Sequence, residues 1–165
     1  MEKKYELTSE TKEAHGTTLY RIRAVRNFGT VKAGDLGGWI EKEANLSKSD
    51  NAWVCDNALV YGNAQVCDDA LVCGNAQVCG NAQVSDIEQI FWISNIGSRH
   101  DSTTFFQCQD GKIRVKTGCF YGDLEAFAAA IQKTHGDNKY AQVYRLAIEQ
   151  AKAQIGEAEP EADYV

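Results

Sequence analysis

The residues from Asn51 to Asp86 read NAWVCD, NALVYG, NAQVCD, DALVCG, NAQVCG and NAQVSD. Each six-residue unit has Ala at its second position and Val at its fourth, and each ends in Asp or Gly before the Asn or Asp of the next unit. The alternation of Ala and Val predicts a short strand with both side chains on one face, and the following pair favours a turn. A fixed period of this kind indicates a repeat architecture in which neighbouring units bury a shared core.

Strands this short, separated by tight turns, cannot continue as a flat sheet. If three strands and three turns close one coil, residues that are three units apart stack, and Ala and Val line a narrow triangular core. The period extends upstream, since Ile40 and Leu46 are also six residues apart, and a two-residue insertion at 48–50 separates Leu46 from Val54. Eight candidate strands, or nearly three coils, are therefore expected.

This pattern resembles the hexapeptide-repeat superfamily of left-handed parallel β-helices, whose unit places a small residue four positions after an aliphatic one, as Ala58 follows Val54 here. The Gly-Asn-Ala-Gln-Val wording and the flanking segments resemble short repeat proteins encoded by phages and prophages. Those segments are AGDLGGWIEKEANLS at 33–47, IGSRHDSTTFF at 96–106, GCFYGDLEAF at 118–127 and KTHGDN at 133–138. The superfamily resemblance implies the fold, and the phage-type resemblance, which covers most of the chain, implies no established activity.

The chain is therefore expected to be mainly β, a short left-handed parallel β-helix with an N-terminal β cap and a small C-terminal α+β domain. The cap is expected at 1–30, the repeats at 31–86 and the α+β domain, of β-β-β-α-α order, at 87–155. Residues 156–165, GEAEPEADYV, are acidic and lack an apolar period, which predicts a disordered tail.

The elements outside the repeats follow from alternation and capping signals. Asp123 is expected to cap a first helix that ends at Gly136, and a second helix is expected to start near Asp137. The strands are expected at 4–7, 18–25, 90–94, 103–108 and 113–116. The apolar helical faces are expected to comprise Leu124, Phe127, Ala128 and Ile131 in the first helix, and Tyr140, Val143, Tyr144, Ala147 and Ala151 in the second.

The six cysteines do not suggest a disulfide or zinc framework. A spacing of six separates Cys67, Cys73 and Cys79 onto different faces, and the sequence contains no C-x-x-C. Cys55 and Cys73 would stack one coil apart, at about 4.8 Å, which is a poor fit to the separation of bonded cysteines. All six are expected to be reduced, and no metal or cofactor is expected.

Charge and hydropathy restrict the partners. The formal net charge of −6 argues against general nucleic-acid or membrane-surface binding. The start MEKKYELT lacks the apolar core of a signal peptide, and no apolar run approaches the length of a membrane span. A location in the cytoplasm of a bacterial host is expected.

Two features are candidates for ligand binding. The segment GSRHDSTT at 97–104 could hold a phosphate through backbone N–H groups and Arg99, or could be an ordinary polar turn with Arg99 in a structural ion pair. Lys112, Arg114 and Lys116 share one face of a predicted strand, which is either an anion-binding stripe or a solvated outer face. The candidate ligand-binding residues are Ser98, Arg99, His100, Thr103, Thr104, Arg114 and Lys116.

A third feature is an apolar outer face of the repeats, formed by Trp53, Cys55, Leu71 and Cys73. An exposed apolar patch usually marks an interface, so these four residues are candidates for homo-oligomer contacts. The alternative is that the N-terminal strands or the C-terminal domain cover them.

Three functions are compatible with these features. Relatives of the resembled fold include acyltransferases that use a histidine beside the coils, but no repeat strand here contains His, so no catalytic residue is nominated. A bactofilin-like, self-assembling structural protein is the second possibility. The favoured hypothesis is a non-enzymatic, oligomeric, phage-type accessory protein that sequesters or blocks a host factor, either a defence protein or a small anionic nucleotide.

Overall fold

The computed structural model describes residues 2–156, and the fold is mainly β with two C-terminal helices. The predicted tail lies outside the described residues, apart from Gly156. The strands are β1 (Tyr5–Ala14), β2 (Thr17–Ala24), β3 (Leu36–Ile40), β4 (Trp53–Val54), β5 (Leu59–Val60), β6 (Gln65–Val66), β7 (Leu71–Val72), β8 (Gln77–Val78), β9 (Gln83–Val84), β10 (Ile90–Ile96), β11 (Asp101–Gln107), β12 (Ile113–Thr117) and β13 (Phe120–Asp123). The helices are α1 (Leu124–His135) and α2 (Lys139–Ile155), with short 3-10 helices at Glu43–Asn45 and Ile87–Gln89.

The sheets are small and mixed. One has five strands in the order β1-β2-β3-β5-β8, antiparallel at its first two pairings and parallel at the others. Two further sheets are parallel pairs, β4 with β7 and β6 with β9, and the C-terminal sheet is an antiparallel meander of β10 to β13. The parallel pairs do not by themselves establish the left-handed coiled path expected from the repeat.

The parallel pairs join residues eighteen positions apart, as the repeat predicts. Val54 pairs with Val72, and Val60 pairs with Val78. Upstream of the insertion the separation becomes twenty, because Ile40 pairs with Val60 and Leu46 bridges to Val66. The predicted two-residue insertion at 48–50 is therefore confirmed, and it leaves the pairing of the apolar rows unchanged.

The Ala and Val rows of the repeat form the core of this region, as predicted. Their side chains are at most 1% exposed, and each fully buried Val contributes roughly 1.5–3 kcal/mol of transfer free energy. The members are Ala52, Ala58, Ala64, Ala70, Ala76 and Ala82 with Val54, Val60, Val66, Val72, Val78 and Val84.

A β-hairpin precedes the repeats, and its first strand is longer than the predicted 4–7. The two strands β1 and β2 pair almost to the turn at His15 and Gly16, where both residues have positive φ. The Tyr5 hydroxyl oxygen lies 3.0 and 2.8 Å from the backbone carbonyl oxygens of Glu43 and Leu46, either of which can accept its single proton. The hairpin is thereby fixed to the chain immediately upstream of the repeats.

Two glycines allow β3 to approach the repeat strands closely. A Cβ atom on Gly38 would lie 2.8 Å from the Ala58 carbonyl oxygen, and one on Gly37 would lie 2.6 Å from the Val54 carbonyl oxygen. Any larger residue would push β3 away from the core, which explains the Gly-Gly pair in this segment.

The C-terminal sheet is covered on both faces. Along β11, Phe105 packs in the cluster formed with α1 and α2, whereas its neighbour Phe106 packs in the core of the repeat region. The sequence pattern predicted three strands here, and the structure has a fourth, β13, which is short and contains Gly122. Glycine is depleted in strands, so this segment carried little strand signal.

The predicted helix ends are confirmed. The predicted helix faces are confirmed in part, since Ala128 of α1 and Val143 of α2 are exposed whereas Ala147 and Ala151 of α2 are buried as predicted. The Asp123 side chain accepts from the Ala126 N–H at 2.7 Å, and Gly136 ends α1. In α2, Val143 is 41% exposed, and the buried residues are Ala141, Ala147, Ile148 and Ala151. Ala141 and Ile148, which the helical pattern did not nominate, complete the buried face of α2. No helix in the described residues is long and apolar enough to cross a membrane.

Candidate functional site

A polar cleft of about 500 Å³ lies between the N-terminal hairpin, the repeat strands and the turn that joins β10 and β11. We call it the central cleft. Its lining is Lys12, Asn57, Leu59, Asn75, Gln77, Ser94, Asn95, His100, Asp101 and Ser102. Ten residues from three separate parts of the chain thus form one surface, and all but Leu59 offer hydrogen-bonding groups.

The floor of the cleft is a direct product of the repeat. Asn57 and Asn75 occupy the same turn position eighteen residues apart, and the Asn57 N–H donates to the Gly74 carbonyl at 3.1 Å. Leu59 and Gln77 are paired in the same way on β5 and β8. Because backbone hydrogen bonds fix both pairs, the amide side chains of the floor are held at one strand spacing from each other.

Gln77 is anchored from both sides. Its backbone N–H donates to Thr104 Oγ1 at 2.9 Å, and its Oε1 lies 3.0 Å from His15 Nε2. The His15 ring stacks on Tyr61 with centroids 5.6 Å apart. The hairpin turn and the C-terminal sheet therefore meet the repeat strands at this glutamine.

Lys12 provides the positive charge of the cleft. It projects from β1, and its Nζ lies 4.8 Å from the centroid of the Trp39 ring. This cation–π contact places the ammonium over the face of the Trp39 ring at the edge of the cleft that Lys12 lines.

The opposite wall is the turn between β10 and β11. Asn95 and His100 both have left-handed backbone conformations, with φ of 57° and 53°. Ser94 Oγ and Ser102 Oγ are 2.9 Å apart, and Asp101 Oδ1 accepts from the Ser102 N–H at 2.8 Å. Local hydrogen bonds thus fix the hydroxyl and carboxylate groups of this wall.

The structure distributes the predicted ligand-binding residues of segment 97–104 rather than gathering them. The predicted turn is confirmed, but only His100 lines the central cleft. Thr103 and Thr104 are buried strand residues, which corrects their assignment as ligand contacts: Thr103 Oγ1 donates to Thr117 Oγ1, and Thr104 supports Gln77. Ser98 is exposed at the turn without lining the cleft.

Arg99 points away from the central cleft. It lines a depression of about 100 Å³ against the helices, whose other members include Phe127, His135 and Tyr144. The Tyr144 ring stacks on His135 at 6.0 Å. The predicted convergence of Arg99 with the threonines therefore does not occur, because the turn presents successive side chains to opposite faces of the sheet.

Arg114 and Lys116 do share one face of β12, but this face is turned toward the repeats rather than to solvent. Lys116 is 6% exposed and donates to the Gly118 carbonyl. Arg114 Nη2 donates to Asp110 at 2.7 Å beside a cleft of about 200 Å³. Cys108 lines this smaller cleft beside Arg114, and burial raises the pKa of its thiol to about 11. The two cations therefore have structural partners and do not form an exposed anion-binding stripe.

The predicted oligomer face is largely covered. Trp53 is 4% exposed, and the Phe28 ring contacts it edge-on with centroids 5.3 Å apart. The N-terminal segment therefore covers Trp53, as the alternative interpretation of this face predicted. Leu71 is 44% exposed. Cys55 and Cys73 are half-buried and joined by a disulfide.

That disulfide corrects the expectation that all six cysteines are reduced. The Cα atoms of Cys55 and Cys73 are 4.6 Å apart, within the range that a disulfide spans. The strand spacing exceeds the mean Cβ separation of cystines, but disulfides span Cα separations of about 4.4–6.8 Å. Cys67, Cys79, Cys108 and Cys119 are free.

Some cleft residues could have been found in the sequence and others could not. The eighteen-residue stacking places Asn57 over Asn75 and Leu59 over Gln77, so the floor was implicit in the repeat. Lys12 carried no signal, because its position depends on the register of the N-terminal hairpin.

A scan against protein-family models and a search of curated proteins both found no match.

Proposed function

We propose that the chain is a non-enzymatic binding protein whose central cleft holds a small anionic nucleotide. The observation that carries this proposal is the cleft itself, a concavity of about 500 Å³ framed by polar side chains from three parts of the chain. Ligand sites in proteins typically occupy about 300–1,000 Å³ and use a few fixed polar groups to orient the ligand.

The chemistry of the lining supports this ligand class. Asn57, Asn75 and Gln77 each offer both donors and acceptors, which suits the edges of a base or the hydroxyls of a sugar. Lys12 offers a compact positive charge for a phosphate. Asp101 and His100 lie on the opposite wall, where they can accept from or donate to the same ligand.

The proposed scaffold is a short left-handed parallel β-helix. Its support is the pairing of residues eighteen positions apart on three sets of strands, together with the buried Ala and Val rows. Left-handedness follows from the resemblance to hexapeptide-repeat proteins. A scaffold of this kind holds the floor rigid, so a ligand would bind without reordering it.

The biological setting is proposed from the resemblance to phage and prophage repeat proteins. In the cytoplasm of a bacterial host, a protein that binds a nucleotide without turning it over would sequester a host signal. The blocked factor could instead be a defence protein, which the experiment below separates from a nucleotide. The proposed homo-oligomer now depends on Leu71, since Trp53 is covered.

The test is calorimetry of the purified protein against mononucleotides, cyclic oligonucleotides and ADP-ribose-type nucleotides. Replacing Lys12 by Met removes a charge-assisted hydrogen bond, and Asn75→Ala removes neutral ones. We expect the first to weaken binding about tenfold to a hundredfold and the second about threefold to tenfold. Light scattering of the same samples reports the oligomeric state.

The repeat offers a matched control. Asn63 occupies the same position in its unit as Asn75 but lies outside the central cleft, so Asn63→Ala should leave the affinity unchanged. Equal losses in both variants would place the site elsewhere. If no nucleotide binds the wild-type protein, a protein target replaces the nucleotide as the proposed partner.

A further inference from the structure

A second site lies where two coils of the repeat meet at Cys55 and Cys73. Both cysteines occupy the fifth position of their units, three units apart. The Cys55 N–H donates to the Val72 carbonyl at 2.8 Å, directly beside the paired residues Val54 and Val72. The two thiol-bearing positions are therefore held together by the repeat whether or not a covalent bond joins them.

A carboxylate completes the group. Asp56 follows Cys55 in a left-handed conformation, with φ of 54°, and its Oδ2 accepts from the Gly74 N–H at 3.0 Å. One potential ligand atom from each of Cys55, Asp56 and Cys73 lies within 4.8 Å of the other two. Both cysteines are half-buried and Asp56 is exposed, so an ion can approach from solvent.

We propose that Cys55, Asp56 and Cys73 form a binding site for a soft divalent cation when the disulfide is reduced, and that oxidation closes the site. Reduction breaks the S–S bond with two electrons and two protons from a thiol reductant, which is itself oxidised to a disulfide. Metal binding then displaces the two thiol protons. The proposal is independent of the central cleft.

The donor set determines the class of ion. Two thiolates select soft or borderline ions such as Zn²⁺ over Mg²⁺ or Ca²⁺. Three protein ligands leave one position for water or an external ligand, as in open zinc sites. The hydrogen bond from Gly74 orients the Asp56 carboxylate, and such supporting contacts typically raise metal affinity tenfold to a hundredfold.

The surrounding charge favours a cation. Residues 43–86 contain six acidic side chains and only one basic side chain. Two thiolates and a carboxylate carry three negative charges, which a divalent ion offsets in part.

The experiment titrates the reduced full-length protein with Cd²⁺, following the ultraviolet absorption of thiolate-to-metal charge transfer. We expect one equivalent to bind, and we expect at least tenfold weaker binding in Cys55→Ser and in Cys73→Ser. The matched control is Cys67→Ser, since Cys67 has the same repeat position but stacks over Ser85. This control should bind like the wild-type protein.

Two further measurements test the role of Asp56 and the effect of oxidation. Asp56→Asn preserves the left-handed turn, which Asn tolerates, and should weaken binding about tenfold. Oxidised protein should show four titratable thiols after unfolding, corresponding to the four free cysteines, and should not bind Cd²⁺ at this site. Circular dichroism confirms the fold of each variant.

Binding of Cd²⁺ by Cys55→Ser as tightly as by Cys67→Ser would overturn the proposal. So would the absence of saturable binding by the reduced wild-type protein, or undiminished binding after oxidation.

Discussion

Lys4 is a charged side chain that is fully shielded from solvent at the junction of the hairpin and the repeats. Its ammonium donates to Asp50 Oδ1 at 2.9 Å and to the carbonyls of Asp50 and Ala52 at 3.0 and 2.6 Å. The Phe28 ring lies 5.0 Å away. All three donors of the ammonium are thus occupied, which is the condition for burying a charge.

Lys4→Met should destabilise the protein by about 3 kcal/mol, because it leaves the Ala52 carbonyl unpaired and Asp50 without its counter-ion. Lys3→Met is the matched control. Lys3 is exposed and pairs with Glu43, so its replacement should change the free energy of unfolding by less than about 1 kcal/mol. Urea denaturation measures both, and equal values would contradict the structural role of Lys4.

The same pair gives a pH dependence. Burial raises the pKa of Asp50, but hydrogen bonds from Lys4, Ser47 and backbone N–H groups outweigh it and hold the pKa below its ordinary value. Burial lowers the pKa of Lys4, so the protein does not stabilise the charged form of Lys4 relative to water. Of the two groups, only Asp50 has its charged form stabilised by folding. The contribution of Asp50 is therefore present above its unfolded pKa of about 3.9 and is lost as the pH falls through its folded pKa.

The stability of the wild-type protein should thus fall more steeply on acidification below about pH 4 than that of Lys4→Met. Urea denaturation at a series of pH values measures the difference. If the free energy of unfolding falls with the same slope in both proteins below about pH 4, Lys4 does not set the pKa of Asp50.

At the scale of single elements, the strands of the repeat and the ends of α1 were predictable because short-range chemistry determines them. The Ala-Val alternation and the turn residues recur six times, and Asp123 and Gly136 are strong capping signals. The buried face of α2 was predicted at Ala147 and Ala151 but not at Ala141 and Ile148, because burial of the latter two depends on tertiary packing. The strand β13 was missed for a similar reason, since its pairing with β12 is tertiary.

Asp123 tests the cap directly. Asp123→Ala removes the acceptor for the Ala126 N–H and should lower the stability by about 1 kcal/mol, within a usual range of about 0.5–2. Asp123→Asn keeps an acceptor in place and should change the free energy of unfolding by only a few tenths of a kcal/mol. Thermal unfolding followed by circular dichroism distinguishes the two, and an equal loss in both would show that charge rather than capping matters.

At the scale of the whole molecule, the C-terminal sheet joins two apolar clusters. Phe105 and Phe106 are neighbours in the chain, yet one contacts Phe127 of α1 at a centroid distance of 6.1 Å and the other lies in the core of the repeats. The central cleft exists only because the hairpin, the repeats and this sheet meet. Sequence patterns predicted the parts, but not the distances between them.

Phe105→Ala and Phe106→Ala should each lower stability by about 3–5 kcal/mol and shift one common transition. Helix circular dichroism and tryptophan fluorescence report the two sides of the sheet, and their melting curves should coincide in both variants. A variant in which the helices melt first, while the fluorescence transition stays in place, would contradict this coupling.

The pairing of residues eighteen positions apart has a consequence for how such a chain can change in length. If the repeats coil as proposed, inserting one six-residue unit would transfer every later side chain to the next face and remove Asn75 and Gln77 from the cleft. Inserting three units would preserve the faces and would separate the hairpin from the C-terminal sheet by one strand spacing, about 4.8 Å. On the proposed coil, the width of the cleft changes in discrete steps with the number of repeats, and variants of this chain whose clefts differ in width should differ in length by multiples of eighteen.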